Sequence, residues 1–232
     1  MTDVLVVDIG GSHIKLYSDG DEPTQFDSSK ELTPDQLVER AIVATKGWNY
    51  DAVSIGYPGR VGRTNPVAEP GNLGDGWVNF DFEAAFGRPV RVINDAALQA
   101  LGTYDHGRML FLGLGTGLGS ALIVDNVIVP LELGCLPYCG DTMAGRLGKA
   151  GLHKHGEAEW LKAVHDIVGQ LREAFSADEI VLGGGNVERI KTLPDGVRRG
   201  GNHDAHRGGV RLWEEDIEHH DRPPSGVWRV VR

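Results

Sequence analysis

The chain has 232 residues and 33 of them are glycine, about twice the roughly 7% share of an average protein. Hydrophobic residues make up 41% and only 11 residues are proline, which excludes a collagen-like fibre or a disordered linker. The net charge of −10 argues against nucleic acid bound along a broad surface, and two cysteines are too few for a disulfide framework. No stretch is apolar over the length of a membrane span, and no basic segment precedes the first apolar run. We therefore expect a cytoplasmic protein without a membrane or nucleic-acid partner.

Apolar runs closed by glycine turns dominate the first half of the chain. The compact run at 4–9 ends in Gly10-Gly11, which predicts a buried strand that turns directly into a hairpin partner. Strands are predicted at 4–9, 14–17, 52–55 and 90–93, and helices at 33–46 and 94–104. The segment 60–80 is rich in Gly, Asn and Pro and is predicted to be irregular.

The second half begins again with the same pattern, two strands on either side of a glycine turn. Strands are predicted at 109–114, 120–124, 127–131 and 180–182, and an amphipathic helix at 157–175. After Pro194 the chain is rich in Gly, Arg and His, and we expect its end from residue 221 to be loosely ordered. The repetition predicts a duplicated two-lobe α/β protein.

Two glycine hairpins are candidates for phosphate binding. The first lies between Asp8 and Lys15 and the second between Gly113 and Gly119. Backbone N–H groups of a glycine turn can approach a phosphate closely, because no β-carbon blocks the way. Neither hairpin matches the dinucleotide fingerprint or the Walker A loop. Read alone, each motif is explained equally well by an ordinary tight hairpin.

Three further motifs follow predicted strands. Asp95, after Asn94, lies where a strand leads into a helix, which suits a general base for phosphoryl transfer but also an ordinary helix N-cap. The glycines at 183–185 leave room for a flat ring, although a tight turn explains them too. Glu132 could accept hydrogen bonds from a sugar or lie on the surface. The spacing of Cys135 and Cys139 relative to the nearby histidines matches no strong zinc pattern.

The order of these motifs, from Asp8 to about Trp213, resembles the ROK family of sugar kinases. The series is a glycine hairpin with Asp and Lys, Gly-x-Pro-Gly, Asn-Asp, Gly-x-Gly-Thr-Gly, Glu-Leu-Gly and Gly-Gly-Gly. Residues 129–134 and the short length are most similar to the polyphosphate/ATP glucokinase branch. The resemblance implies an α/β fold of the two-lobe actin-like ATPase type, a duplicated ribonuclease H-like fold with the ligand cleft between its lobes. The lobes would span 1–105, with the first phosphate loop, the sugar loop and the catalytic Asp, and 106–232, with the second phosphate loop and the adenosine-side turn.

The resemblance also assigns roles by position, with Asp95 as the catalytic base. The implied phosphate-binding residues are Asp8, Gly10, Gly11, Ser12, Lys15, Gly115, Thr116 and Gly117, with Asp8 holding Mg²⁺ through water. The implied adenosine-side residues are Gly183, Gly184, Gly185 and Asn186. The implied sugar-binding residues are Pro58, Gly59, Asn72, Asn94, Asp95, Glu132 and Cys135. The implied enzyme is a homodimeric hexose kinase that uses Mg²⁺ with ATP or polyphosphate and phosphorylates the 6-hydroxyl of glucose.

Three departures from the family pattern leave alternatives open. Cys135 replaces the histidine that usually follows Glu-x-Gly, so an amino-sugar kinase of the N-acetylmannosamine or N-acetylglucosamine type stays possible. The family's zinc motif is absent, so no structural zinc is expected. The chain is short at its adenosine end, which predicts weaker ATP recognition.

A basic track for polyphosphate could be formed by Arg198, Arg199, Arg207 and Arg211, or these residues could form an ordinary solvated face. The second alternative to a glucose kinase is a non-catalytic sugar-binding protein, against which the presence of Asp8, Lys15 and Asp95 argues.

Overall fold

A computed structural model describes residues 2–124, 127–201, 203–214, 217–219 and 228–230. The prediction of a loosely ordered end from residue 221 falls mostly outside these ranges, although Trp228–Val230 forms a strand within them. No helix in the described part of the chain is both long enough and apolar enough to cross a membrane.

The first sheet has five strands in the order β3-β2-β1-β4-β5. These are β1 Val4–Ile9, β2 His13–Tyr17, β3 Thr24–Asp27, β4 Ala52–Tyr57 and β5 Val90–Asn94. Strands β1 to β3 form an antiparallel meander, and β4 and β5 continue parallel to β1. All six residues of β1 are buried, as expected for a strand with both faces covered. The four strands predicted for this half are confirmed, and β3 was missed.

The second sheet repeats this arrangement. Its strands are β6 Met109–Leu114, β7 Leu118–Val124, β8 Val127–Leu131, β11 Glu179–Gly183, β12 Val197–Arg199, β13 Ile217–His219 and β14 Trp228–Val230. Strands β6 to β8 are an antiparallel meander, and β11 and β12 lie parallel to β6, just as β4 and β5 lie parallel to β1. Strands β14 and β13 extend the far edge beyond β8. The short pair β9 Pro137–Tyr138 and β10 Asp141–Thr142 stands apart. The predicted duplication of a two-lobe α/β unit is confirmed.

Helices cover both sheets and fill the space between them. They are α1 Pro34–Ala44, α2 Phe82–Phe86, α3 Asp95–Thr103, α4 Met143–Leu147, α5 Lys149–Ala174 and α6 Asp204–Arg211, with short 3-10 helices at Leu133–Cys135 and Gly185–Arg189. Apolar residues of α1 and α2 pack on the outer face of the first sheet, and those of α4 and α5 on the outer face of the second. Helices α3 and α6 lie between the sheets, in a cluster to which both sheets contribute.

Four helices differ from the prediction, and α2 and α4 lie in segments where no helix was predicted. Helix α5 begins at Lys149 instead of near 157, and Gly156 interrupts it with φ 78°, a conformation that favours glycine. Helix α6 lies in the Gly-, Arg- and His-rich segment where no element was predicted, and it packs on α3, β1 and β4 of the first lobe. The division of the chain after residue 105 stays a prediction.

Candidate active site

A cleft of about 680 Å³ lies at the ends of β1, β5, β6 and β11. Such crevices beyond the carboxyl ends of parallel strands are where open α/β sheets bind ligands. Of the predicted site residues, those that line the cleft are Asp8, Gly10, Gly11, Ser12, Lys15, Pro58, Gly59, Asn72, Asn94, Asp95, Gly115, Thr116, Gly117, Glu132, Gly183, Gly184, Gly185 and Asn186. Cys135 is exposed and is not among the lining residues, so its contact with a sugar stays a prediction.

The first glycine hairpin joins β1 to β2 and places Asp8 opposite Lys15. Asp8 is only 8% exposed, and its Oδ1 is buried without a hydrogen-bond partner among the described residues. Burial raises the pKa of this carboxyl from 3.8 to about 6, and the positive charge of Lys15 works in the opposite direction. A buried carboxylate oxygen without a partner is a group that still needs a cation or a donor.

The second glycine hairpin joins β6 to β7 and is fixed through its own carbonyl groups. The backbone N–H of Lys149 lies 3.1 Å from the Gly115 carbonyl oxygen and 3.2 Å from that of Thr116. The side-chain amide of Asn186 donates to the Gly115 carbonyl at 3.1 Å. The turn is thus held from the start of α5 and from the predicted adenosine side, so Asn186 orders the second glycine hairpin as well as lining the cleft.

The hairpins of the two lobes meet at Gly11. A β-carbon on this residue would lie 2.6 Å from Oγ1 of Thr116 and 3.3 Å from Nδ2 of Asn72. Glycine at position 11 therefore lets the second glycine hairpin and the predicted sugar loop approach the first glycine hairpin. By contrast, Gly115 has no heavy atom within 4 Å of an added β-carbon, so its side faces open space.

Asp95 is the first residue of α3, and Asn94 is its N-cap. The side-chain oxygen of Asn94 accepts from the N–H of Ala97 at 3.1 Å, and its amide donates to the Gly59 carbonyl at 3.2 Å. Because Asn94 performs the capping that Asp95 was alternatively predicted to perform, the Asp95 carboxylate is left facing the cleft, with one bond from the N–H of Ala96 at 2.8 Å.

The environment of Asp95 favours its neutral form more strongly than water does. Its pKa is raised from 3.8 to about 7, chiefly by burial and in addition by the like charges of Asp8 and Glu132, while the hydrogen bond from the N–H of Ala96 works in the opposite direction. A carboxyl group with a pKa near 7 in a cleft can accept a proton from a substrate and release it again close to neutral pH.

Glu132 enters the cleft from the end of β8, where Ser120 fixes the chain. The Ser120 hydroxyl donates to the Leu131 carbonyl at 2.8 Å and accepts from the N–H of Leu133 at 3.1 Å, so it holds both neighbours of Glu132. Burial raises the pKa of Glu132, and the nearby charge of Arg60 lowers it. This carboxylate at the cleft is available to accept hydrogen bonds from hydroxyl groups.

The Gly183–Gly185 turn serves packing more than ligand access. A β-carbon on Gly183 would lie 2.6 Å from the Phe111 ring, and one on Gly184, whose φ is 82°, would lie 2.5 Å from the Leu114 carbonyl oxygen. Only Gly185 has open space beside it. Two of the three glycines are thus required by the contact between β11 and β6, and one is free to lie against a ligand.

The predicted basic track is mostly engaged in internal contacts. Arg198 lies 2.7 Å from Glu179 and also donates to the Thr103 carbonyl, Arg199 donates to the Ile190 carbonyl, and Arg211 donates to the Tyr104 carbonyl at 2.8 Å. Only Arg207 is left exposed without such a contact among the described residues. The hypothesis of an arginine track for polyphosphate receives no support from this arrangement.

Sequence reasoning missed several residues that line the cleft, chief among them Lys149 at the start of α5. No local motif marks Lys149, because its place beside the second hairpin depends on how α5 packs. Tyr17, Gln99 and Glu188 line the cleft as well. Only the contact between lobes brings them to the same site.

Asp8 is the residue of the cleft that could act as a ligand for a magnesium ion. Its unpartnered buried carboxylate oxygen is the hard oxygen donor that Mg²⁺ prefers, and Mg²⁺ typically uses one or two carboxylates together with water and substrate phosphates. Within the described ranges, no group of three or more His, Cys, Asp and Glu side chains could hold a metal by itself. The residues therefore fit a magnesium ion that arrives with a phosphate ligand.

The chain is similar in sequence and in fold to known proteins. The chain is 27% identical over 203 residues to polyphosphate glucokinases of Mycobacterium leprae and Mycobacterium tuberculosis, covering 77% of itself in each case. It spans 62% of the length of the first relative and 76% of that of the second. The crystal structure of the inorganic polyphosphate/ATP-glucomannokinase from Arthrobacter sp. strain KM superposes with a TM-score of 0.77 at 24% identity, over 90% of this chain and 96% of that one.

These similarities agree with the fold of the chain. The Arthrobacter structure shares the two-lobe actin-like arrangement, so the predicted fold class is confirmed. The model of the ROK family matches residues 4–153, which is more than half of the chain and includes both glycine hairpins, Asp95 and Glu132. The chain therefore belongs to the ROK family.

Proposed function

We propose that the protein is a sugar kinase that transfers a phosphoryl group from ATP or polyphosphate to a hexose hydroxyl, most simply the 6-hydroxyl of glucose. One observation carries the proposal: a single cleft is lined by two glycine hairpins and by the carboxyl group of Asp95, whose pKa is raised to about 7. The names of the mycobacterial and Arthrobacter relatives, which use polyphosphate or ATP and act on glucose or mannose, support the same reaction class.

In this mechanism Asp95 acts as the general base. Its carboxylate accepts the proton of the sugar hydroxyl while the hydroxyl oxygen forms a bond to the terminal phosphorus of the donor. The bond between that phosphorus and the bridging oxygen breaks, and its electron pair leaves with the shortened donor. The proton remains on Asp95 until the product departs. Since the pKa of Asp95 is about 7, neither taking up nor releasing the proton is costly near neutral pH.

The glycine hairpins would bind the donor. The N–H groups of Gly10 and Gly115 close their own hairpins by bonding to the carbonyls of His13 and Gly117. The backbone N–H groups of 11–12 and 116–117 suit phosphate oxygens, and Lys15 adds a positive charge on the first lobe. Asp8 would hold Mg²⁺ through water, and the ion when bound would neutralise charge on the donor phosphates. The turn at 183–186 would lie along the adenosine of ATP, with Gly185 as its open position.

The sugar would lie on the opposite side of Asp95. Glu132 offers a carboxylate acceptor, and Asn72, Asn94 and the Pro58-Gly59 backbone also line the cleft. The hydrogen bond from Asn94 to the Gly59 carbonyl links the sugar loop to the start of α3, so a sugar held there would be positioned against Asp95. By family resemblance we also propose that the enzyme is a homodimer, which light scattering after size-exclusion chromatography would test.

A coupled assay tests the proposal. ATP and polyphosphate, each with Mg²⁺, are offered separately with glucose, mannose, N-acetylmannosamine and N-acetylglucosamine. We expect turnover with at least one pair, and in Asp95→Asn a loss of about 100- to 10,000-fold in kcat with sugar binding retained. Asp81→Asn is the matched control, because Asp81 is a helix N-cap outside the cleft. Full activity of Asp95→Asn, or no turnover with any pair, would contradict the mechanism.

A further inference from the structure

Lys149 is a charged residue of the cleft that the mechanism above does not use. Of the residues that line the cleft, the acidic ones are Asp8, Asp95, Glu132 and Glu188, and the lysines are Lys15 and Lys149. In the described part of the chain no arginine lines the cleft. A polyanionic donor must therefore approach four carboxyl groups with only two permanent cations to attract it.

The two lysines differ in how they are engaged. Lys15 lies opposite Asp8 in the first hairpin and acts electrostatically on that carboxyl. Lys149 is exposed and makes no ion pair with any residue that the structure describes. Its ammonium is thus the cation of the cleft that remains available to an incoming anion.

The position of Lys149 is fixed by backbone contacts to the second hairpin. Its N–H bonds to the carbonyls of Gly115 and Thr116 anchor the start of α5 on the turn. A β-carbon on the preceding Gly148 would lie 2.4 Å from the Thr116 carbonyl oxygen, so only glycine allows this close approach. The lysine is therefore attached to the same loop whose open side, at Gly115, faces the cleft.

We propose that Lys149 binds the phosphates of the donor from the second lobe, as a counterpart of Lys15 on the first. This inference rests on the proposed function and adds a donor-binding residue to it. One lysine in the first hairpin and one bonded through its backbone to the second would hold a phosphate chain from both sides, whatever group is attached to its far end. Lys149 would accordingly act on ATP and on polyphosphate alike and have no part in binding the sugar.

Kinetics and direct binding test the role of Lys149 together. In Lys149→Gln we expect KM for either donor to rise about tenfold or more, as for loss of a charged hydrogen bond, while KM for the sugar changes less than twofold. Lys149→Arg should recover most of the donor affinity, because the charge is retained. Lys154→Gln is the matched control, since Lys154 is exposed on the same helix but does not line the cleft. Calorimetric titration with Mg-tripolyphosphate measures the same loss without turnover.

The outcomes separate this inference from the proposed function. Wild-type protein that phosphorylates a hexose, with Lys149→Gln indistinguishable from Lys154→Gln, would overturn the role of Lys149 alone. A changed KM for sugar with an unchanged KM for donor would also overturn it. Weaker tripolyphosphate binding in Lys149→Gln, without phosphoryl transfer by the wild type, would support the inference and reject the kinase. Wild-type protein that binds neither tripolyphosphate nor ATP would reject both.

Discussion

Asp95 differs from an ordinary helix-terminal aspartate because the residue before it takes over the capping. Asn94 accepts the N–H of Ala97, so the Asp95 carboxylate faces the cleft with Asp8 and Glu132 as like-charged neighbours. Asp8, whose pKa is raised to about 6, is already ionised when Asp95 titrates near 7. Of these two carboxyl groups, Asp95 therefore ionises at the higher pH.

This order predicts the pH dependence of the reaction. Asp95 must be ionised to accept a proton, so kcat/KM for the sugar should rise with pH to a plateau, with an apparent pKa of about 7. Below that value activity should fall about tenfold per pH unit. Glu132→Gln removes one like charge, so its profile should shift to lower pH even though its KM for sugar increases.

Profiles of kcat/KM between pH 5.5 and 8.5 measure both effects. Lys154→Gln provides the control, because its side chain lies outside the cleft. A flat profile across this range would exclude Asp95 as the base. An unshifted profile in Glu132→Gln would show that the two carboxyl groups are not coupled.

At the scale of single elements, the sequence predicts what local pattern determines. Strand β1, its glycine turn and β2 follow from an apolar run closed by two glycines, and Asn94-Asp95 follows from a strand that leads into a helix. The predicted site residues other than Cys135 line one cleft. They are identified in the sequence by the order of the family's motifs. Their spacing along the chain does not by itself indicate that they share a site.

Tertiary contacts decide the elements and roles that the sequence does not predict. Helix α6 contains Gly208-Gly209, which are poor helix formers, so its segment lacks a helical signal. These glycines are needed where α6 crosses α3: a β-carbon on Gly208 would lie 1.9 Å from the Leu98 carbonyl oxygen. The arginines of the predicted phosphate track bind carbonyl groups and Glu179. The sequence does not predict these contacts, because the partners are distant in the chain.

Substituting alanine for glycine should have opposite effects at the crossing of α3 and α6 and at an open position of α5. A β-carbon on Gly102 would lie 1.9 Å from the Asp204 carbonyl oxygen, so Gly102→Ala must push the helices apart. We expect a loss of about 1–3 kcal/mol or more in the free energy of unfolding. Gly169 lies inside α5 with no atom within 4 Å of an added β-carbon, so Gly169→Ala should stabilise the protein by about 1 kcal/mol.

Thermal unfolding followed by circular dichroism measures this difference. A change of 1 kcal/mol corresponds to about 2–4 °C in Tm for a chain of this size. Gly102→Ala should therefore unfold at lower temperature than the wild type, and Gly169→Ala at higher temperature. Equal Tm values for the two variants would show that the helix crossing relaxes without cost.

At the scale of the whole molecule, the two lobes share one central cluster. Val6 and Ile93 of the first sheet, Phe111 and Val181 of the second, and residues of α3 and α6 are buried together there. The segment just after α6 adds a polar contact to the first sheet, since Trp213 donates to the Ser54 hydroxyl at 2.9 Å. Neither lobe covers the inner face of its sheet alone, because α3 and α6 lie between both.

This shared core predicts that the protein unfolds in one cooperative transition despite its duplicated architecture. Trp77 is buried in the outer cluster of the first lobe and Trp160 in that of the second, so each reports on its own lobe. A variant that keeps only Trp77 of the five tryptophans should follow the first lobe by fluorescence, and a variant that keeps only Trp160 should follow the second. Since exposing either inner face would leave the central cluster open to water, both midpoints in urea should coincide with the loss of helical circular dichroism in the same variant. Separate midpoints for fluorescence and circular dichroism in either variant would show that a lobe keeps its fold after the central cluster has opened.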